Sequence, residues 1–304
     1  MEAYNYPPMP TEMRARVNDL LEKDGLHLVY NVPVEPQAAW KQKLGFTIRD
    51  GVNVTFVMFL RDTPEFRVNI NDYHDGSPGY VEMGTFGALP RLQSRKPPNV
   101  GTIHVASSNP LGKMQYFTCG FQFAGTNETK GYINETLIST HQKIDLDVLD
   151  EIYVHANKQS HHFASMISIH VTGKRDTVDQ FFSNQIPDTR LAQNFAGTVM
   201  TVLGVYNRES AASNDKIQVE VYERGSPDGK VRLEVDPGTI DKTDKLIQIK
   251  FGHGSVTVEG PGGRDMKPTT FAGLTKNCAA QIVHNFQVKR VTVESYLFKD
   301  PRSN

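Results

Sequence analysis

The side chains most able to do chemistry crowd into one stretch, HANKQSHH, where His155, His161 and His162 are followed by His170. Imidazoles at this density suggest a metal site. The spacing matches no standard zinc pattern, however, and neighbouring histidines on a strand point to opposite faces. A polar hairpin tip between strands is the reading the spacing favours. Asp145, Asp147, Asp150 and Glu151 could hold calcium, but they lack the spacing and the glycine of a calcium loop and read as a solvated face. Cys119 and Cys278 sit in apolar stretches with no obvious histidine partner in sequence, as buried thiols do. Gly260-Pro-Gly-Gly263 lacks the lysine and hydroxyl residue of a phosphate loop, and no Gly-x-Ser-x-Gly elbow occurs. The expectation is a protein with no catalytic residues, no metal and no cofactor.

Binding a sugar asks for different residues. Planar polar side chains hold the hydroxyls, and a ring covers the apolar sugar face. The polar candidates are Asn69, Asn71, His104 and Asn109. The sole tryptophan, Trp40, lies early in the chain, and Tyr73, Tyr80, Tyr206 and Tyr222 fall near strand ends. Each tyrosine reads more simply as a half-buried sheet residue.

Composition removes other classes. A net charge of −1 and a pI near 6.8 leave no basic excess for a nucleic-acid backbone. No apolar window is long enough to span a membrane. The first residues, MEAYNYPPMP, carry no basic and apolar leader pattern, and the two cysteines fit a reducing compartment. The expected location is the cytoplasm, or outside the cell without a signal peptide. The sequons at Asn53, Asn127 and Asn134 then read as chance. With 304 residues, 38% of them hydrophobic, the chain can bury one large core or two ordinary ones.

The elements that must position these residues are mostly strands. Met13, Val17, Leu20 and Leu21 share one helical face, and the pattern stops at Asp24-Gly25. Beyond that, short runs rich in valine, isoleucine and aromatics follow one another: 26–32, 53–60, 65–70, 102–106, 116–123, 199–206, 216–222, 230–235, 245–251, 255–260 and 291–298. FRVNI and IQVEV alternate apolar and polar, as a strand with one solvated face should. Turn clusters such as Ser226-Pro-Asp-Gly229 separate the runs. The pattern predicts an all-β fold of antiparallel sandwiches after a short N-terminal helix.

The chain also repeats itself. GVNVTFVMFL (51–60) resembles GTVMTVLGVY (197–206) at an offset of 146, and each run is followed by FRVNI or IQVEV. Near the ends, Lys174, Arg175, Thr177 and Val178 match Lys289, Arg290, Thr292 and Val293 at an offset of 115. Ala164 and Ile167 match Ala279 and Ile282 at that same offset. The offsets differ by 31, which asks for extra loop in the first unit, placed at Thr126–Asp145. The expected division is an extension at 1–25, a first sandwich at 26–182 and a second at 186–301.

Gly51 to Phe59 followed by Phe66-Arg-Val-Asn-Ile70, with IYVHANKQSHHFASMISIHVTGKRDTV (152–178) closing the first unit, resembles a galectin; IVHNFQVKRVTVESYLF (282–298) closes the second in a similar valine-rich strand. The resemblance implies a tandem pair of jelly-roll-like sandwiches and carbohydrate binding, with a glycan or glycoprotein as partner. The galectin sugar signature, H-x-N-x-R, V-x-N and W-x-x-E-x-R, is not intact. No tryptophan follows Trp40, and His155-Ala-Asn157-Lys-Gln159 stands near the end of its unit. The implied function is a lectin-like binding protein with a degenerate site. The alternative is a protein-interaction or structural scaffold of jelly-roll domains, such as a coat component, binding a protein partner and no sugar.

Overall fold

The computed structural model describes residues 6–34, 39–47, 51–61, 65–72, 79–86, 89–95, 103–124, 128–142, 148–155, 164–173, 197–206, 216–223, 230–236, 243–252, 255–261, 269–270, 278–284 and 286–295. Helix α1 spans Thr11–Leu21. Its sequence partner-pairs are local: Arg16 reaches Glu12 at 3.1 Å, and the Pro10 carbonyl accepts the Arg14 N–H at 2.9 Å. All other described elements are strands. The first twelve are β1 (Gly25–Val34), β2 (Ala39–Thr47), β3 (Asn53–Leu60), β4 (Arg67–Asp72), β5 (Gly79–Phe86), β6 (Leu89–Arg95), β7 (Ile103–Val105), β8 (Gln115–Ala124), β9 (Glu128–Ile133), β10 (Thr136–Gln142), β11 (Val148–His155) and β12 (Ala164–Thr172). The rest are β13 (Val199–Tyr206), β14 (Ile217–Glu223), β15 (Lys230–Val235), β16 (Asp244–Gly252), β17 (Ser255–Glu259), β18 (Thr269–Thr270), β19 (Cys278–His284) and β20 (Phe286–Ser295).

The strands form an all-β sandwich architecture. A six-stranded sheet, β2-β11-β4-β5-β6-β7, packs on the first part of a long sheet, and a three-stranded sheet, β15-β14-β19, serves the later part. The long sheet has eleven strands in the order β10-β9-β8-β3-β12-β1-β20-β13-β16-β17-β18. Because strand side chains alternate, every second residue enters the core. Val54, Phe56, Met58 and Leu60 of β3 meet Val68, Ile70, Val81, Met83 and Leu92 of the facing sheet, and all are fully buried. Phe66 and Phe117 close one end with ring centroids 5.0 Å apart. A Cβ on Gly131 would stand 3.2 Å from both the Met83 sulfur and Leu92, so a glycine there lets the layers close. Each fully buried aliphatic or aromatic side chain contributes about 1.5–3 kcal/mol.

The sequence repeat has a structural counterpart, with one correction. Gly51 and Gly197 both take positive φ, 85° and 96°, and donate their N–H to the Phe123 and Phe251 carbonyls at 2.9 and 2.8 Å. A glycine accepts that backbone region without a Cβ penalty. β3 and β13 therefore occupy equivalent places at the offset of 146. The strand equivalent to β12 is β20, because Thr172 pairs with Asn53 and Glu294 pairs with Val199. That offset is 122 (294 − 172), not 115. Ala279 and Ile282 lie on β19 in the three-stranded sheet, whereas Ala164 and Ile167 lie on β12 in the long sheet. The offset of 115 thus sets β12 against β19, seven residues out of step with the strand pairing. Lys174 to Phe182 lie outside the described residues. The stretch expected as loop, 126–145, contains the paired strands β9 and β10.

The long sheet runs through both halves without a break. β1 pairs with β12 antiparallel on one side and with β20 parallel on the other, from Gly25↔Arg290 to Tyr30↔Ser295. Residues 6–24 lie across its outer face. Tyr6 hydrogen-bonds Ser165 at 2.7 Å, accepts from Arg61 at 2.9 Å and packs edge-on against Phe59. Tyr116 donates to the Pro7 carbonyl at 2.8 Å, and at the far end Arg290 donates to the Leu21 carbonyl at 2.9 Å. The helix is long enough to cross several strands but far too short and polar to cross a membrane, and no described helix does so.

Candidate binding face

Two polar constructions stand out. The first is the outer face of the six-stranded sheet. Val68, Ile70, Val81, Met83 and Leu92 take the core side, so their alternates, Arg67, Asn69, Asn71, Glu82, Arg91 and Gln93, share the opposite side. Strand register sets Asn69, Glu82 and Gln93 in one row across β4, β5 and β6. Gln93 donates to the Glu82 carboxylate at 2.5 Å, and Arg67 approaches its other oxygen at 3.9 Å. Asn69 and Glu82 are 6% and 5% exposed, which is unusual for an outward row. Burial raises the Glu82 carboxyl above its ordinary range, while Arg67 and hydrogen bonds from Asn69 and Gln93 oppose that rise. The Asn69 amide nitrogen is thus committed to Glu82. Its Oδ1 is buried and accepts no hydrogen bond from the described residues. At the end of the row, β7 adds Ile103 and Val105, 56% and 53% exposed, in register with Gln93 and Arg91.

A row of fixed amide and carboxylate groups ending in an apolar step can hold a flat, hydroxyl-rich ligand. The amides and carboxylate orient hydroxyls, and the aliphatic pair excludes water from a carbon face.

Comparison with known proteins places limits on this chain. No family model matches the sequence, and no curated protein matches it. Among solved structures, Caenorhabditis elegans galectin LEC-6 aligns at 12% identity and TM-score 0.36, covering 46% of this chain and 94% of that one. Congerin II, liganded with lactose and MES, aligns at 13% and 0.35 over 44% and 98%. Mouse laminin alpha1 LG4-5 aligns at 8% and 0.34 over 85% of each chain. Likeness at this level does not extend to what those proteins bind.

The residues expected from sequence divide. Asn69 and Asn71 sit together on the outer face of β4. His104 lies in edge strand β7, exposed and in register with Leu92, so it belongs to the other face. Asn109 lies beyond β7, where its side chain accepts the Leu111 N–H at 3.0 Å and shapes a turn. β7 is three strands from β4, about 14 Å at sheet spacing. Glu82, Gln93 and Arg67 went unnoticed in sequence; only strand register reveals that they share a row. Asp145 and Asp147, with His161 and His162, lie outside the described residues, as does Tyr73. Trp40 lies in β2, and Asp150, Glu151 and His155 in β11. Among the described residues no group of three or more metal-binding side chains assembles.

The second construction is buried at the seam. His27 on β1 and His170 on β12 are both fully buried, with their Nδ1 atoms 2.9 Å apart. His27 Nε2 lies 2.9 Å from the Lys23 carbonyl, and His170 Nε2 lies 2.8 Å from Ser168 Oγ. A carbonyl only accepts, so His27 carries its proton on Nε2 and accepts at Nδ1. His170 must then donate from Nδ1 and accept the Ser168 hydroxyl at Nε2. Every polar atom is satisfied with both rings neutral. Burial lowers His27 to about 4 and His170 to about 3, and nearby Arg290 and Lys23 respectively push the same way. The serine–histidine order resembles a nucleophile and its base, but with all three residues fully buried no substrate reaches them. Cys119 is likewise sealed against Met58, and burial pushes its thiol well up.

Proposed function

We propose that the protein is a non-enzymatic, lectin-like binding protein whose ligand is a glycan held on the outer face of the six-stranded sheet. The observation that carries this reading is the hydrogen-bonded row of Asn69, Glu82 and Gln93, which runs in register into the exposed Ile103 of β7. Arg67 holds the Glu82 carboxylate, and Ile103 and Val105 offer the carbon face its contact. The chain is read as two sandwich units, 26–182 and 186–301, after an N-terminal extension; the equivalent places of β3 and β13, and of β12 and β20, support that division.

The test is a glycan array run at several protein concentrations, with wild type beside Asn69→Ala. Binding that the substitution weakens at least tenfold supports the assignment. An array blank on every glycan removes the lectin reading. Binding indifferent to the substitution moves the site elsewhere.

A further inference from the structure

The His27–His170 pair does something for the fold beyond filling a core position. It ties three elements: β12 through His170 and Ser168, β1 through His27, and the turn after α1 through the Lys23 carbonyl. The strands on either side are locked by full ladders. The turn is not. Glu22 and Lys23 are exposed, and their N–H groups bond back to the last turn of α1, Glu22 N–H to Asn18 and Lys23 N–H to Leu20. Between the end of α1 and the sheet lies a cavity of about 350 Å³ lined by Leu21, Leu203, Leu246, Arg290 and Thr292 among others.

We propose that the His27–His170 pair is an acid-operated latch that holds the C-terminal end of α1 on the seam of the long sheet and releases it when the pair takes up protons.

The hydrogen-bond chemistry gives the order of events. A first proton can enter at His170 Nε2. The Nδ1 proton of His170 then passes to His27 Nδ1, and His170 Nε2–H donates to Ser168 in place of accepting. The chain of bonds survives with one cation in it. A second proton sets two N–H groups against each other at 2.9 Å, and no acceptor remains between them. Burial opposes charge on the pair most strongly; the Lys23 carbonyl that accepts from His27 favours a cation there, but less than burial opposes it. Lys23 in the turn and Arg290 on β20 are cationic and disfavour it. Thr292 on β20 and Thr55 on β3 pair with His27 and His170 and are neutral. Glu294, two residues along β20, is exposed to water, and the turn's own Glu22 and Asp24 move with it. Hydration of the cations therefore comes most readily by lifting residues 21–24, which Arg290 and His27 hold across the seam among the described residues. The cavity beside Leu21 gives water its way in.

Amide hydrogen exchange of the full chain from pH 7 to 3.5, corrected for intrinsic rates, tests this alongside the imidazole signals of ¹⁵N-histidine-labelled protein. Segment 11–24 should lose protection at least tenfold, following the titration of His27 and His170, while β3 and β8 stay protected. His27→Gln should abolish that step. Should that variant not fold, Arg290→Gln supplies the second arm: it removes a repelling charge and a tether, so the step should move to higher pH. Loss of protection in α1 and β3 together would overturn the proposal. So would a step that persists in His27→Gln, or one whose midpoint ignores Arg290→Gln.

Discussion

Ile167 on β12 and Lys289 on β20 are the extra residues of two β-bulges that occupy equivalent places in the two halves of the long sheet. Ile167 falls opposite the step from Val57 to Met58, and Lys289 opposite the step from Leu203 to Gly204. Both partner positions differ by 146, and the bulged residues by 122 (289 − 167). A bulge bends its strand and sharpens its twist, so a shared bulge means a shared curvature.

Beside the second bulge the two halves exchange volume. Met58 and Ala164 stand where Gly204 and Phe286 stand in the other half. A Cβ on Gly204 would sit 2.4 Å from the Phe286 ring and 2.3 Å from the Gln287 carbonyl oxygen, far inside van der Waals contact with both. Gly204→Ala should therefore destabilise by about 2–4 kcal/mol, because backbone must move. Urea denaturation reads it. Adding Phe286→Ala should not restore wild-type stability, since the carbonyl clash remains; full restoration would sink the account.

Acid should weaken the fold through the two seam histidines. Their folded values, about 4 and about 3, lie below the ordinary 6.5. Between those values the unfolded chain binds more protons, so stability rises with pH and is lost as pH falls from 6.5 toward 4. His27 alone accounts for about 3 kcal/mol over that window. Denaturation of wild type and His27→Gln at pH 7, 5.5 and 4.5 should show curves that converge as pH falls. Parallel curves would refute the assignment.

Glu82 should titrate in the opposite sense. Its carboxyl is raised, so its ionised form is the disfavoured one in the fold, and its contribution to stability falls as pH rises through the folded value. Glu82→Gln should be nearly neutral for stability, keeping shape while removing the desolvated charge. Glu82→Ala leaves Asn69 and Gln93 without their acceptor and should cost about 1–3 kcal/mol. Equal losses in the two variants would show that the hydrogen bonds at Glu82 contribute nothing.

Cys119 should not react in the native protein. Its thiol is buried and its ionisation suppressed. Mass-spectrometric mapping after iodoacetamide at pH 8 should find it labelled only when urea is present. Rapid native labelling at Cys119 would contradict the packing against Met58.

Much of this fold was legible in the chain because strand side chains alternate. The runs 53–60, 199–206 and 230–235 coincide with β3, β13 and β15, and the helix stops before Asp24-Gly25. β5 and β6 escaped notice: GYVEMGTF and LPRLQSR carry glycine, proline and charge where a strand usually shows β-branched residues. Those two strands supply Glu82 and Gln93, so the row around Asn69 was invisible too. His170 stood out as the tail of a histidine cluster, but its partner is His27, 143 positions earlier. No spacing rule connects residues that far apart; only the β1–β12 register does.

The parallel pairing of β1 with β20 also sets a timetable for synthesis. β1 emerges from the ribosome roughly 260 residues ahead of the strand that covers its open edge. At about 5–20 residues per second that wait lasts tens of seconds. Until then β1 offers unpaired backbone, an invitation to join the wrong neighbour. A nascent chain stalled before residue 286 should therefore be the form of this protein most in need of a chaperone.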